Sequence, residues 1–232
     1  MYAKLLIATS AILLPSIISA QADGDGASNV ARELKQNHYQ QAVALADNIL
    51  TTHPTDCQVL TLRGIALGQE RQIVGAKESF DRAIQACPDS LPALEGAAQI
   101  AYATHSPESS ALLHRILVLE PGNQTSHAML GSLSFQRGDC SAAIEHFERS
   151  LALVEKSEEA QREFGSCLFS QGEHQKAEEI FHDIAEHNPS EKNLLQLAFV
   201  QWKSKNAEAA LATLQILLSP RAGFHRGIAI AV

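Results

Sequence analysis

The sequence predicts an all-α chain of about six helix-turn-helix units in tandem, preceded by a segment of different character. Two observations carry this. Helix-period apolar patterns alternate with short Gly- or Pro-containing breaks from residue 29 to 219. The small and large residues of those patterns also recur at a fixed interval. The stretch from Gln124 to Val154 is the template. It places Gly131 in a first helix, a Gly138-Asp139 break, then Ala143, Phe147 and Leu151 on one face of a second helix. A shift of 34 residues turns Gly131, Gly138, Ala143 and Phe147 into Gly165, Gly172, Ala177 and Phe181.

The other copies are looser. Gly64, Ala76, Phe80, Ala83 and Pro88 keep the internal spacing of Gly165, Ala177, Phe181, Ile184 and Pro189. Asn37, Tyr39, Ala42 and Pro54 mark an earlier copy, and Leu194, Leu197, Ala198, Ala210, Leu214 and Leu217 the last. This small-large-small code at a period of about 34 resembles the tetratricopeptide repeat family over roughly Asn29 to Leu218. The resemblance implies a right-handed superhelical solenoid. Its first helices would line a concave groove that usually binds peptides, so a non-enzymatic protein-binding scaffold is expected.

Taken in order, residues 1–22 read as a secretory signal. Lys4 precedes an apolar run from Leu5 to Ile18, and Ala20-Gln21-Ala22 is a small-x-small cleavage pattern. The alternative is an uncleaved membrane anchor, against which stand the shortness of the run and Pro15. No Cys follows the run to suggest lipoprotein processing. Residues 23–28 read as a flexible leader. The repeats are expected over about 29–56, 57–90, 91–123, 124–157, 158–190 and 191–219.

The first repeat is ragged, with a short first helix from Val30 to Gln36. The third is degenerate: Ser106 is expected as an N-cap before an N1 Pro107, and Ser109, Ser110 and His114 stand where apolar residues belong. The fourth and fifth are expected to be the best formed. The tail, 220–232, ends in Gly227 to Val232 and is neither a repeat nor an amphipathic cap. It reads as the edge of a longer array, or as leaving a face for a partner. The corresponding rival to a pure scaffold is a regulatory or substrate-presenting region of a longer exported enzyme.

The formal net charge is −8, and loss of the signal removes Lys4 and no acid. An acidic solenoid has little attraction for phosphate backbones, so nucleic acid is not an expected partner. No run after residue 20 is long and apolar enough to span a membrane, so no stable insertion is expected once the signal is gone. A periplasmic or secreted location follows.

An exported chain meets an oxidising compartment, and the cysteines number four: Cys57, Cys87, Cys140 and Cys167. Placed on the repeat framework, antiparallel neighbours bring together Cys57 with Cys87 and Cys140 with Cys167. The alternative is four buried free thiols acting as small hydrophobes.

Within the groove that the resemblance implies, Tyr102, Phe135, Phe169 and Trp202 occupy one position in four successive first helices. They form an aromatic ladder able to clamp a peptide, with Trp202 the expected hot spot. The competing reading is that these rings fill helix interfaces. One class of the family grips a terminal carboxylate with basic residues on its first helices. The matching positions here are Thr61, Ile65, Glu95, Gln99, Ala128, Ser132, Arg162, Ser166, Leu195 and Phe199, of which Arg162 alone is basic. Carboxylate clamping is therefore not expected, and Arg162 remains as a groove residue.

No catalytic or cofactor motif is present. His182 has Glu178 and Glu186 a turn away, and His146 lies near Glu145, Glu148 and Arg149, as solvated helix pairs do. Glu33, Glu70 and Glu78 are isolated carboxylates without an acid/base partner. Neither a metal site nor a cofactor is expected. Asn123-Gln124-Thr125 matches a glycosylation sequon, which matters only in a eukaryotic host.

Overall fold

The computed structural model describes residues 25–218. The expected signal, 1–22, and the expected tail, 220–232, lie outside the described residues. Among the described residues there are thirteen helices and no strand. The chain divides into two compact units, one ending at Asn123 and the other beginning at Gln124.

The first unit contains three antiparallel hairpins. They are α1 (Asp25–Lys35) with α2 (Tyr39–Thr52), α3 (Cys57–Gln69) with α4 (Ile73–Ala86), and α5 (Leu91–Ala103) with α6 (Ser109–Leu119). The leader expected over 23–28 is helical from Asp25. Its residues have something to pack on: Gly26 abuts Ile49 of α2, while Ala27 and Ala31 join the core around Val30, Ala42 and Ala46. Asp56 caps α3 by accepting N–H bonds from Gln58 and Val59, both at 3.0 Å. The Phe80 ring is pressed between two first helices. A Cβ on Gly64 or Gly96 would lie 2.8 or 2.3 Å from it.

The third hairpin is irregular, but not as expected. Ser106 stands outside α6, which begins at Ser109 and runs only 11 residues. The Ser106 hydroxyl accepts the Glu108 N–H at 3.4 Å, and Ser109 is buried.

The second unit has α7 (Gln124–Gln136) paired with α8 (Cys140–Glu148) and the short α9 (Leu151–Val154). Next come α10 (Glu158–Ser170) with α11 (His174–His187), and α12 (Glu191–Lys203) with α13 (Ala207–Leu218). Gly131 faces Phe147 and Gly165 faces Phe181, so the recurring glycine and phenylalanine of the sequence meet inside each hairpin. The fourth repeat corrects the expectation that it is among the best formed, because its second helix breaks after Glu148. Ser150 is fully buried there, and its hydroxyl donates to the carbonyls of His146 (3.1 Å) and Phe147 (3.3 Å). A side-chain donor that takes the helix's own carbonyls weakens the ladder at that turn.

All six hairpins turn through one left-handed residue: Asn37, Arg71, His105, Gly138, Gly172 or Lys205, with φ between 53° and 84°. The residue after each one donates its N–H five residues back, as in His38 to Glu33 (2.9 Å) and Asn206 to Gln201 (2.9 Å). At Gly138 and Gly172 a Cβ would meet no atom within 4 Å, so only backbone strain opposes a side chain. Gly172→Ala is expected to destabilise the second unit by roughly 1 kcal/mol. Gly122→Ala, at an open site without positive φ, should be near neutral in the same urea titration.

Cys57, at the start of α3, is bonded to Cys87, which caps α4, with a Cα–Cα distance of 6.0 Å. Cys140, at the start of α8, is bonded to Cys167 of α10 at 4.9 Å. None of the four is a free thiol.

Candidate interaction face

In the second unit the first helices of successive hairpins are cross-linked by side chains. Arg162 of α10 donates to Asn193 Oδ1 (3.1 Å) and Gln196 Oε1 (2.7 Å) of α12, and to Glu158 on its own helix. The expected groove cation is thus already engaged as a strut between helices. Glu158 in turn accepts from Asn188 and Asn193, and the Asn188 amide leads in holding its carboxyl below the usual range.

Glu163, in the second turn of α10, was not singled out by sequence reasoning. Burial pushes its carboxyl up, against a hydrogen bond from Ser132 of α7, and Glu159 adds repulsion. Its Oε2 is buried and has no hydrogen-bond partner among the described residues. A raised folded-state pKa means the charged form is disfavoured by folding. Any stability linked to this group is complete below the unfolded carboxylate pKa of about 4.3 and is lost as pH rises through the folded value. Glu163→Gln is therefore expected to raise the melting temperature at pH 7, with the gain disappearing below about pH 4. A gain that persists at low pH would point to packing instead.

The four aromatic positions differ in their surroundings. In the first unit Tyr102 is half-buried on α5. In the second, Phe135 and Phe169 are half-buried against the hydrophobic core, which is the packing role. Phe169 also meets the rings of His174 (4.9 Å between centroids) and Phe199 (5.8 Å), and Phe199 meets Trp202 (6.2 Å). Phe199 is therefore the link between Phe169 and Trp202. Its place beside Trp202, three residues back on the same helix, was the available signal. Trp202 is 59% exposed, and Lys203 Nζ lies 4.5 Å from its ring centroid and 5.7 Å from that of Phe199.

The two histidines noted in the sequence beside carboxylates each have a local neighbour. His146 Nδ1 lies 3.0 Å from His127 Nδ1, and His182 Nδ1 lies 4.0 Å from Glu186. Among the described residues no group of three or more His, Cys, Asp or Glu side chains converges as a metal site.

Stacked helical hairpins with a glycine–phenylalanine lock define an α-solenoid. Residues 134–197, within the second unit, match the family model for tetratricopeptide repeats. Among solved structures, YrrB, described as a TPR protein with an unusual peptide-binding site, superposes with a TM-score of 0.64 at 20% identity. The match covers 75% of this chain and 92% of that one. MamA gives 0.59 at 18% identity over 76% and 98%, and PilF of Pseudomonas aeruginosa 0.61 at 19% over 84% and 90%. These likenesses are of fold. No curated protein matches the chain in sequence.

Proposed function

We propose that the chain is a non-catalytic scaffold that binds a peptide or protein segment on its first-helix face, outside the cytoplasm. The observation that carries this is the aromatic row Phe169–Phe199–Trp202, which begins in the core and ends in a tryptophan open to solvent. A ring that contributes little to packing yet is backed by two others is a preorganised anchor for a partner side chain. The peptide-binding description of YrrB supports the same reading by analogy of fold. Two disulfides fit an oxidising compartment, and among the described residues no helix is long and apolar enough to cross a membrane.

The test is selection of peptides from a displayed library on the wild-type chain, followed by affinity measurement on variants. Trp202→Ala is expected to cost about 2 kcal/mol or more of binding while leaving the melting temperature unchanged. Unchanged affinity with a lowered melting temperature would assign the ring to packing.

A further inference from the structure

The outer side of the α12–α13 hairpin carries a hollow of about 440 Å³ that shares Phe199 and Trp202 with the first-helix row and gains a second wall from α13. Leu195, Phe199 and Trp202 line it from α12, and Ala207, Leu211 and Leu214 from α13. One hairpin earlier, the equivalent surface of α10–α11 receives a helix, α12. That covered surface uses polar groups: Arg162 bonds Asn193 and Gln196, and Glu178 accepts from Asn206 (3.3 Å). Thirty-three residues on, those two positions hold Leu195 and Leu211, which are 47% and 61% exposed. Repetition of the same stacking would call for polar groups here. The substitution of carbon at both positions suits a helix that presents carbon in return.

Charge sets the rim. The α10–α11 hairpin holds eight carboxylates and two cations, whereas α12–α13 with its turn holds Glu191 and Glu208 against Lys192, Lys203 and Lys205. Ion pairs are formed elsewhere by Arg63, Lys77, Arg149, Arg162 and Lys176, but among the described residues none involves these three lysines. Lys192 and Lys203 are eleven residues apart, so a helix brings them to one side, roughly 16 Å from each other at the two ends of the apolar strip.

We propose that this outer face docks an amphipathic helix of a partner protein, apolar along about three turns and acidic at both ends of that strip. The apolar side would fill the hollow and the carboxylates would meet Lys192 and Lys203.

Trp202 is the chain's single tryptophan and lines the hollow, so its emission reports occupancy directly. The probe is an acetylated 18-residue helical peptide with a Leu/Ala strip flanked by Glu, titrated into the full chain beside a counterpart with Lys for every Glu. The Glu peptide should shift Trp202 emission to shorter wavelength in a saturable way, and the Lys peptide should bind about tenfold more weakly or worse. Lys203→Gln should weaken the Glu peptide several-fold. Leu211→Glu and, separately, Ala207→Glu should abolish the shift with melting temperature retained, both sites being exposed. Gly122→Ala, at an open site in the first unit, should leave it intact.

Equal binding of the two peptides, or a shift that survives both α13 variants, overturns the proposal. A saturable shift that both Leu211→Glu and Ala207→Glu leave intact puts the peptide on the first-helix face, which overturns the outer-face site and leaves the proposed function standing. Emission already at short wavelength without peptide overturns it too. If independent of concentration, that emission assigns the face to the chain's own residues; if it moves with concentration, to a second copy.

Discussion

Phe147→Ala is expected to destabilise the second unit by about 3–5 kcal/mol, read as a fall in urea midpoint at unchanged slope. Phe147 is fully buried, lies directly on Gly131 and meets the Phe164 ring at 5.7 Å between centroids. Truncation leaves a void whose floor is a glycine, which has no side chain to move inward, so the site collapses poorly. The reverse change tests the same lock. A Cβ on Gly131 would sit 2.7 Å from the Phe147 ring, and Gly131→Ala should overpack it at a cost of about 1–3 kcal/mol. In the Phe147→Ala background that cost should largely vanish, because the two residues share one contact. Additive costs would mean that the glycine is needed for something other than the ring.

Opening both disulfides is expected to have an effect of similar size. The bridges close segments of 30 and 27 residues. Loop-closure arguments assign each about 3–4 kcal/mol, mainly by restricting the unfolded chain. Urea titration with and without a phosphine reductant should show the loss in both units, and Cys57→Ala with Cys87→Ala should reproduce it in the first unit alone. A reductant effect that survives replacement of all four cysteines would not be a disulfide effect.

The hairpin boundaries were legible because each repeat spends its few informative residues on one contact. Gly131 with Phe147 and Gly165 with Phe181 are paired by spacing alone, and the structure places each pair face to face. The turns were less readable. Gly138 and Gly172 announce a left-handed residue, but Asn37, Arg71, His105 and Lys205 adopt the same conformation without a glycine's signature. Asn37 and His105 are of types that tolerate that conformation, whereas at Arg71 and Lys205 the turn runs against the residue's own preference. The break in the fourth repeat was not legible, because nothing along the chain reveals that Ser150 is buried. At the interaction face, periodicity picked out Phe169 and Trp202 but passed over Phe199, which lies off the ladder position and still bridges them. Glu163 was invisible because nothing in its neighbours along the chain reveals how deeply α7 covers it.

The two bridges restrain different things. Cys57–Cys87 ties the open end of a single hairpin, whereas Cys140–Cys167 stitches the second helix of one hairpin to the first helix of the next. When such an array is drawn out by its ends, the oxidised chain must withhold the 30 residues spanned by the first bridge, on the order of 100 Å of contour at full extension. The second adds a rivet across a seam where repeats otherwise peel apart, so hairpins four and five leave the fold together while oxidised and one after the other once reduced.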